Sequence, residues 1–327
     1  MAVQDGPAPP DADSVLVDRS HAVPPEWLPV AAQLGQVATA VGAYLQLDPS
    51  PWPDSISSRE KAREQEFDAL PFEYPMAHVH LAPLQYLAVS QDHLTAIAAV
   101  VRTPGTVMAL LTLQRTQLVA TGWASYLADP SIDVRERVRR AMNGYLESTT
   151  EQMRLVGRED EVSARGFDQL NHRRQEVIRG AKQLGWHATT PQSPKRKAWP
   201  EVWWIGDKPP TEMAVLDSLL GDASLNDRIG YTLYRHLSGT SHARPHALLW
   251  FVDREQVLSR GDGSALAPIR MDGRMLATLA MTSVVALTIA MDRCVGLYGW
   301  PPHRWKQEVV PILNDLRSAL GLPPPLR

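Results

Sequence analysis

Between residues 231 and 251 the chain reads YTLYRHLSGTSHARPHALLWF, which holds three histidines, two arginines, two serines, two tyrosines and one tryptophan. Histidine is the side chain whose unperturbed charge change falls near neutral pH, and a nearby guanidinium offers a fixed cation for a developing negative charge. Arg235, His236 and His242 are therefore the candidate catalytic residues, with Tyr234 and His246 as candidate binding residues beside them.

The elements that would position them follow from local pattern. Ile229, Leu233 and Leu237 recur every four residues, which places them on one helix face. Gly239, followed by Thr240 and Ser241, reads as a helix stop and a new start: glycine for the left-handed C′ position, then a hydroxyl to cap the next helix. Pro245 fits the first turn of that second helix, and its effect on the preceding residue sets the start between Ser241 and Arg244. The expected bend puts Arg235 near the negative end of one helix dipole. His242 falls near the positive end of the next, where imidazolium is disfavoured. A neutral imidazole facing a cation across a break is one reading; a pair of ordinary helix caps is the other.

Arg235, the polar His236, five further residues and then His242 resemble the Arg-polar-spacer-His signature of the HEPN superfamily, helical domains that include metal-independent ribonucleases. The resemblance implies RNA as substrate, with His242 as general base toward a ribose 2′-hydroxyl and Arg235 stabilising charge on the phosphate. It also implies that the two meet across a homodimer interface, that no cofactor is needed, and that the role is that of a toxin or defence effector. Gly239 lies inside the spacer, a departure that bears on how the two side chains are placed. The wider pattern of Tyr234, Arg235 and Ser238, then a histidine and an apolar helix, is similar to a group of uncharacterised helical proteins from high-GC bacteria. That second likeness implies a fold and no activity.

Composition narrows the classes. A length of 327 residues, 44% apolar and 21% charged, is ample for a large globular core. The net charge of −3 supplies no global field toward nucleic acid or an anionic membrane. One cysteine, Cys294, excludes an internal disulfide framework and a cysteine-built zinc site. His242 with His246, and His78 with His80, are the pairs to consider for a metal, but neither has a carboxylate at matching spacing, so no metal is expected. The acidic, proline-rich start is unlike a signal peptide, and the uncharged run 275–291 reads as a core helix, so a cytoplasmic protein without a membrane span is expected.

Along the chain, residues 1–25 read as a disordered leader, 26–82 as an N-terminal helical extension and 83–327 as the main bundle. Helices are expected at 27–47, 58–70, 84–101, 106–127, 133–156, 159–184, 271–298 and 303–320, with a short one after Thr211 and the bend between. Short connections favour antiparallel neighbours. The result is an all-α class: a multi-helix bundle of roughly nine or ten helices with one long irregular loop at 187–210. That loop carries Lys195, Arg196, Lys197 and then Trp199, Trp203 and Trp204, candidate binding residues that would stack on bases, fold over a small-molecule pocket, or pack on the bundle. The arginines at 135, 137, 139 and 140, and those at 173 and 174, are interleaved with acids and read as a solvated surface. Besides the ribonuclease, two further readings stay open: a non-catalytic helical module binding a small molecule or a protein partner, and a helical small-molecule enzyme using the same histidines.

Overall fold

The computed structural model describes residues 23–47, 52–103, 106–190, 200–221, 228–251, 258–259, 265–266 and 271–322. Most of the expected leader, and Trp199 with the basic residues before it, lie outside them. The described chain is an all-α bundle of about ten helices with almost no strand.

The first helix, α1 (Trp27–Leu45), buries Ala31, Leu34, Val37 and Val41, the stripe expected from its spacing, while Leu28 stays exposed at its start. A short α2 (Ile56–Lys61) is capped by Ser55, whose hydroxyl accepts from Ser58 N–H, and a 3-10 turn at Glu64–Phe67 follows it. These two pieces replace the single helix expected over 58–70.

Next, α3 (Pro75–Val100) starts nine residues earlier than its pattern suggests and runs straight through residues 82–83. Pro75 occupies the first turn, where its missing N–H costs nothing. Pro83 lies inside the helix, removing one hydrogen bond, but it is buried with His80 and Leu87 on the face that packs inward. The residues before 83 are therefore continuous with the bundle, and α1 shares its main core with α3.

Beyond them, α4 (Val107–Ala128) is the central helix. The antiparallel pair α5 (Val134–Val156) and α6 (Glu161–Gln183) starts at Asp133 and Asp160, whose carboxylates accept backbone N–H groups of the first turn. A two-residue ladder joins β1 (Ala188–Thr189) to β2 (Trp204–Ile205), and a second joins β3 (Leu258–Ser259) to β4 (Ala265–Leu266). The chain also forms α7 (Glu212–Gly221), α8 (Ile229–Ser241), the four-residue α9 (Pro245–Leu248), α10 (Gly273–Tyr298) and α11 (Pro302–Ala319). Asp272 caps α10 and Gly299, at φ 71°, ends it. Both α1 and α10 are long and apolar enough to cross a membrane by length and composition, and both contribute side chains to the main core.

Two cores result. The larger lies among α1, α3, α4, α7, α8, α10 and α11; a smaller one, including Phe67, Val138, Met142, Leu146, Val177 and Ile205, lies beneath α5 and α6. Where they meet, Arg137 donates from Nε to both carboxylate oxygens of Glu60, at 3.1 and 3.0 Å. Its other nitrogens reach the carbonyls of Leu127 and Asp129. Only 1% of the Arg137 side chain and 7% of that of Glu60 is exposed. Removing one member of such a pair leaves a buried charge unmatched. We expect Arg137→Met to lower the unfolding free energy by about 3–5 kcal/mol in urea denaturation, and Glu60→Leu added to it to restore part of the loss. A loss below about 1 kcal/mol for the single variant would contradict this role.

Candidate functional site

The stretch singled out by its composition folds as α8, and the helix does not stop at Gly239. It continues to Ser241 because Gly239 is buried and needs no side chain, while Thr240 and Ser241 donate their hydroxyls to the carbonyls of His236 and Leu237. The stop comes two residues past the helix, at Ala243, which takes the left-handed conformation at φ 50°. Its N–H donates to Thr240 O at 2.9 Å and Arg244 N–H donates to Gly239 O at 2.8 Å, the paired closure of a Schellman motif. Pro245 then opens α9, in its expected first-turn place. His242 is thus the C-terminal cap residue of α8, not the start of the next helix.

That placement decides the relation between the proposed catalytic pair. Arg235 and His242 sit seven residues apart on one continuous helix, about 10.5 Å along its axis. Arg235 points toward the helix start, donating to Tyr231 Oη at 2.9 Å with its guanidinium 5.6 Å from the Tyr231 ring centre. Both Arg235 and His242 are exposed, and within one protomer they do not converge. The His246 side chain lies outside the described residues.

Tyr234 faces elsewhere. Its hydroxyl donates to Glu212 Oε2 at 2.8 Å, and Arg115 Nη2 donates to the same oxygen at 2.9 Å and to the Tyr234 hydroxyl at 3.2 Å. The Arg115 guanidinium also lies 5.3 Å from the Tyr234 ring centre. This cluster fastens α8 to α4 and α7. Arg115 and Glu212 carried no signal in the sequence, because they are 119 and 22 residues from Tyr234 and only the fold brings them together.

His236, on another side of α8, lines a furrow of about 460 Å³ between α8 and α10. Ile229 and Leu233 extend one wall, Met275 and Leu279 the other, and the Phe251 ring lies 5.5 Å from the imidazole. Asp272 and Arg274 stand at its mouth, the Asp272 carboxylate already accepting Met275 N–H. Both α8 and α10 rest on α4, and the furrow lies between them.

Comparison with protein-family models, with curated proteins and with solved structures finds no match. The site has to be read from its own geometry.

Trp203 and Trp204 do not line the furrow. Ile205 is fully buried in the smaller core, its N–H donating to Asn143 Oδ1 at 2.7 Å and its carbonyl accepting from Asn143 and Arg139. Trp203 packs on the same core and Trp204 pairs with Thr189. The arginines of α5 hold this segment and its surroundings: Arg139 also reaches Asp207 O, and Arg135 reaches Leu184 O with its guanidinium 5.1 Å from Trp186. Glu136 pairs with Arg140, one turn on, and with Arg139 as well.

Two outcomes follow for α8. Ala243→Gly should raise stability by about 1 kcal/mol, because glycine adopts the left-handed closure without steric cost. Arg235→Ala and His242→Ala should each change it by no more than about 0.5 kcal/mol, since both side chains are exposed and neither bonds across elements. Chemical denaturation of the three variants measures both; a large loss for His242→Ala would mean that the cap is structural.

Proposed function

We propose that this protein is a non-catalytic helical module that binds a small apolar molecule in the furrow between α8 and α10. The observation that carries the reading is the furrow itself: a concavity of about 460 Å³ walled by Ile229, Leu233, Met275 and Leu279 from two helices, with the His236 imidazole and threonine side chains set among them. Volumes of this size are those of small-molecule sites, and a few polar groups in an apolar wall orient a ligand more than they hold it. Thr232 and Thr282 add hydroxyls to the wall, so the fitting ligand has an apolar body and one polar end. Apolar burial at this scale, less the cost of association, supports a dissociation constant on the order of 1–100 μM.

A ribonuclease mechanism needs the imidazole and the guanidinium at one phosphate. Arg235 is committed to Tyr231 and His242 closes the helix two turns away, so a single protomer offers no such site. The binding reading uses His236 and leaves Arg235 and His242 out.

The test is a titration with N-phenyl-1-naphthylamine, a neutral apolar fluorophore. The native protein should give a saturable, single-site rise in emission. Thr278→Trp, at an exposed position on the furrow wall, should weaken it at least about tenfold with the fold unchanged. Equal, unsaturable emission from both proteins overturns the proposal. So does RNA cleavage by the native chain that His242→Ala abolishes.

A further inference from the structure

A second cavity, about 260 Å³, opens between α3 and α5. Its lining includes the rings of His78, Tyr86, Trp123 and Tyr145. Tyr86 and Trp123 stack at 6.3 Å with 27° between their planes. His78 lies flat on Phe72 at 4.3 Å and 15°, and the Tyr145 ring meets it edge-on at 5.5 Å. These rings are fixed by one another, so the cavity presents formed π surfaces.

Its polar groups have a distinctive pattern. Arg140 lines the cavity, but its charge is already answered: Nε donates to Glu136 at 2.8 Å, Nη1 to the Tyr126 carbonyl, and the Asp129 carboxylate stands 3.8 Å away. The guanidinium also lies over the Tyr126 ring at 4.1 Å. Neither an anion nor a cation is therefore favoured. By contrast, the His78 imidazole and the hydroxyls of Tyr86 and Tyr145 line the cavity without a hydrogen bond to any described residue. Burial pushes the His78 imidazole below its usual pKa, which keeps it neutral, with one donor and one acceptor nitrogen.

We propose that this cavity is a binding site for a neutral, planar nitrogen heterocycle, stacked on the aromatic walls and hydrogen-bonded at its donor and acceptor edges by His78 and the tyrosine hydroxyls. The volume admits one fused ring system. With Arg140 committed, no cation is left at the wall for a phosphate, so the ligand is a free small molecule and not a base within a nucleic acid.

Gly144 makes the site testable without damaging the fold. It lines the cavity, and a Cβ there would meet nothing within 4 Å, so a larger side chain grows into the void. It also sits inside α5, where glycine is a poor helix former. Benzimidazole, which carries both a donor and an acceptor nitrogen, is titrated calorimetrically at pH 7.5 into native protein, Gly144→Leu and His78→Phe. Saturable binding is expected for the native chain, weaker by at least about tenfold in Gly144→Leu and by about tenfold in His78→Phe, which keeps the stack on Phe72 but loses the hydrogen-bonding edge. Thr278→Trp should bind benzimidazole as the native chain does, which separates this site from the furrow. No saturable heat from the native protein, undiminished binding by either cavity variant, or equal binding of cyclohexylmethanol would each overturn the assignment.

Discussion

The fold depends on a charge that has no access to water. Arg137 lies at the junction of the two cores, and each of its nitrogens has a partner: the Glu60 carboxylate and two carbonyls from the turn that ends α4. Glu60 in turn meets His80 Nε2 at 2.9 Å, and the Tyr298 hydroxyl donates to the His80 carbonyl. Taking a guanidinium and a carboxylate out of water costs several kcal/mol each, and only complete pairing offsets it. The arrangement therefore tolerates one relative placement of α2, α3, α5, α10 and the end of α4. Apolar packing alone would accept several. The same dryness removes chemistry: burial pushes the nearby Cys294 thiol up to about 12 and the Tyr298 hydroxyl well above its usual value, so both stay protonated.

From that junction α4 runs as a spine, and its polar residues show how its neighbours are set. Gln114 donates to Leu279 O and Ser283 Oγ on α10, while Gln117 donates to Ser90 on α3 and to Thr121 on its own helix, whose hydroxyl also bonds that of Ser90. These directional bonds fix register where aliphatic side chains would slide. Close approach does the same on the third side. A Cβ at Gly122 would stand 2.8 Å from Val215, and one at Gly230 would stand 2.5 Å from Asp217, so α7 is pressed against both α4 and α8. With α8 and α10 each held to α4, the furrow lies between them.

Much of this was legible locally. Asp133, Asp160 and Asp272 accept first-turn N–H groups where the sequence places helix starts, and Gly299 ends α10 where its pattern ends. Such signals depend on neighbours within four residues, which is why they survive without tertiary information. The failures had a tertiary cause. Pro83 and Gly239 read as breaks, but each is buried on a helix face where packing outweighs its local cost, and the left-handed closure fell to Ala243, a residue type that gives no warning. The candidate site divided in the same way. Tyr234 and His236 emerged from composition, whereas Arg115, Glu212 and the His78 cavity depend on residues joined only by the fold. His78 and His80, two apart, were a pair to consider for a metal; on α3 they face different surroundings, one an aromatic cavity and the other the Glu60 carboxylate.

The arginine-rich helix shows why residue content is a poor guide to partners here. A run with arginines at 135, 137, 139 and 140, interleaved with acids, reads as a solvated surface, yet Arg137 is buried and the structure directs each one inward or along the surface to a defined acceptor. Arg135 takes the Leu184 carbonyl, Arg137 the Glu60 carboxylate, Arg139 the Ile205 and Asp207 carbonyls, and Arg140 Glu136 and the Tyr126 carbonyl. A cation already bonded to carbonyls and carboxylates must break those bonds to meet a phosphate, so its attraction for polyanions is largely offset. What α5 does instead is hold β2 through Ile205, with Trp203 packed on the smaller core beside it. That placement removes Trp203 and Trp204 from the role of a lid over the furrow. The furrow between α8 and α10 and the cavity between α3 and α5 differ in lining, the first richer in aliphatic side chains and the second in rings. A flat heterocycle finds more ring surface in the second and an aliphatic body more aliphatic surface in the first, which is why different probes suit the two.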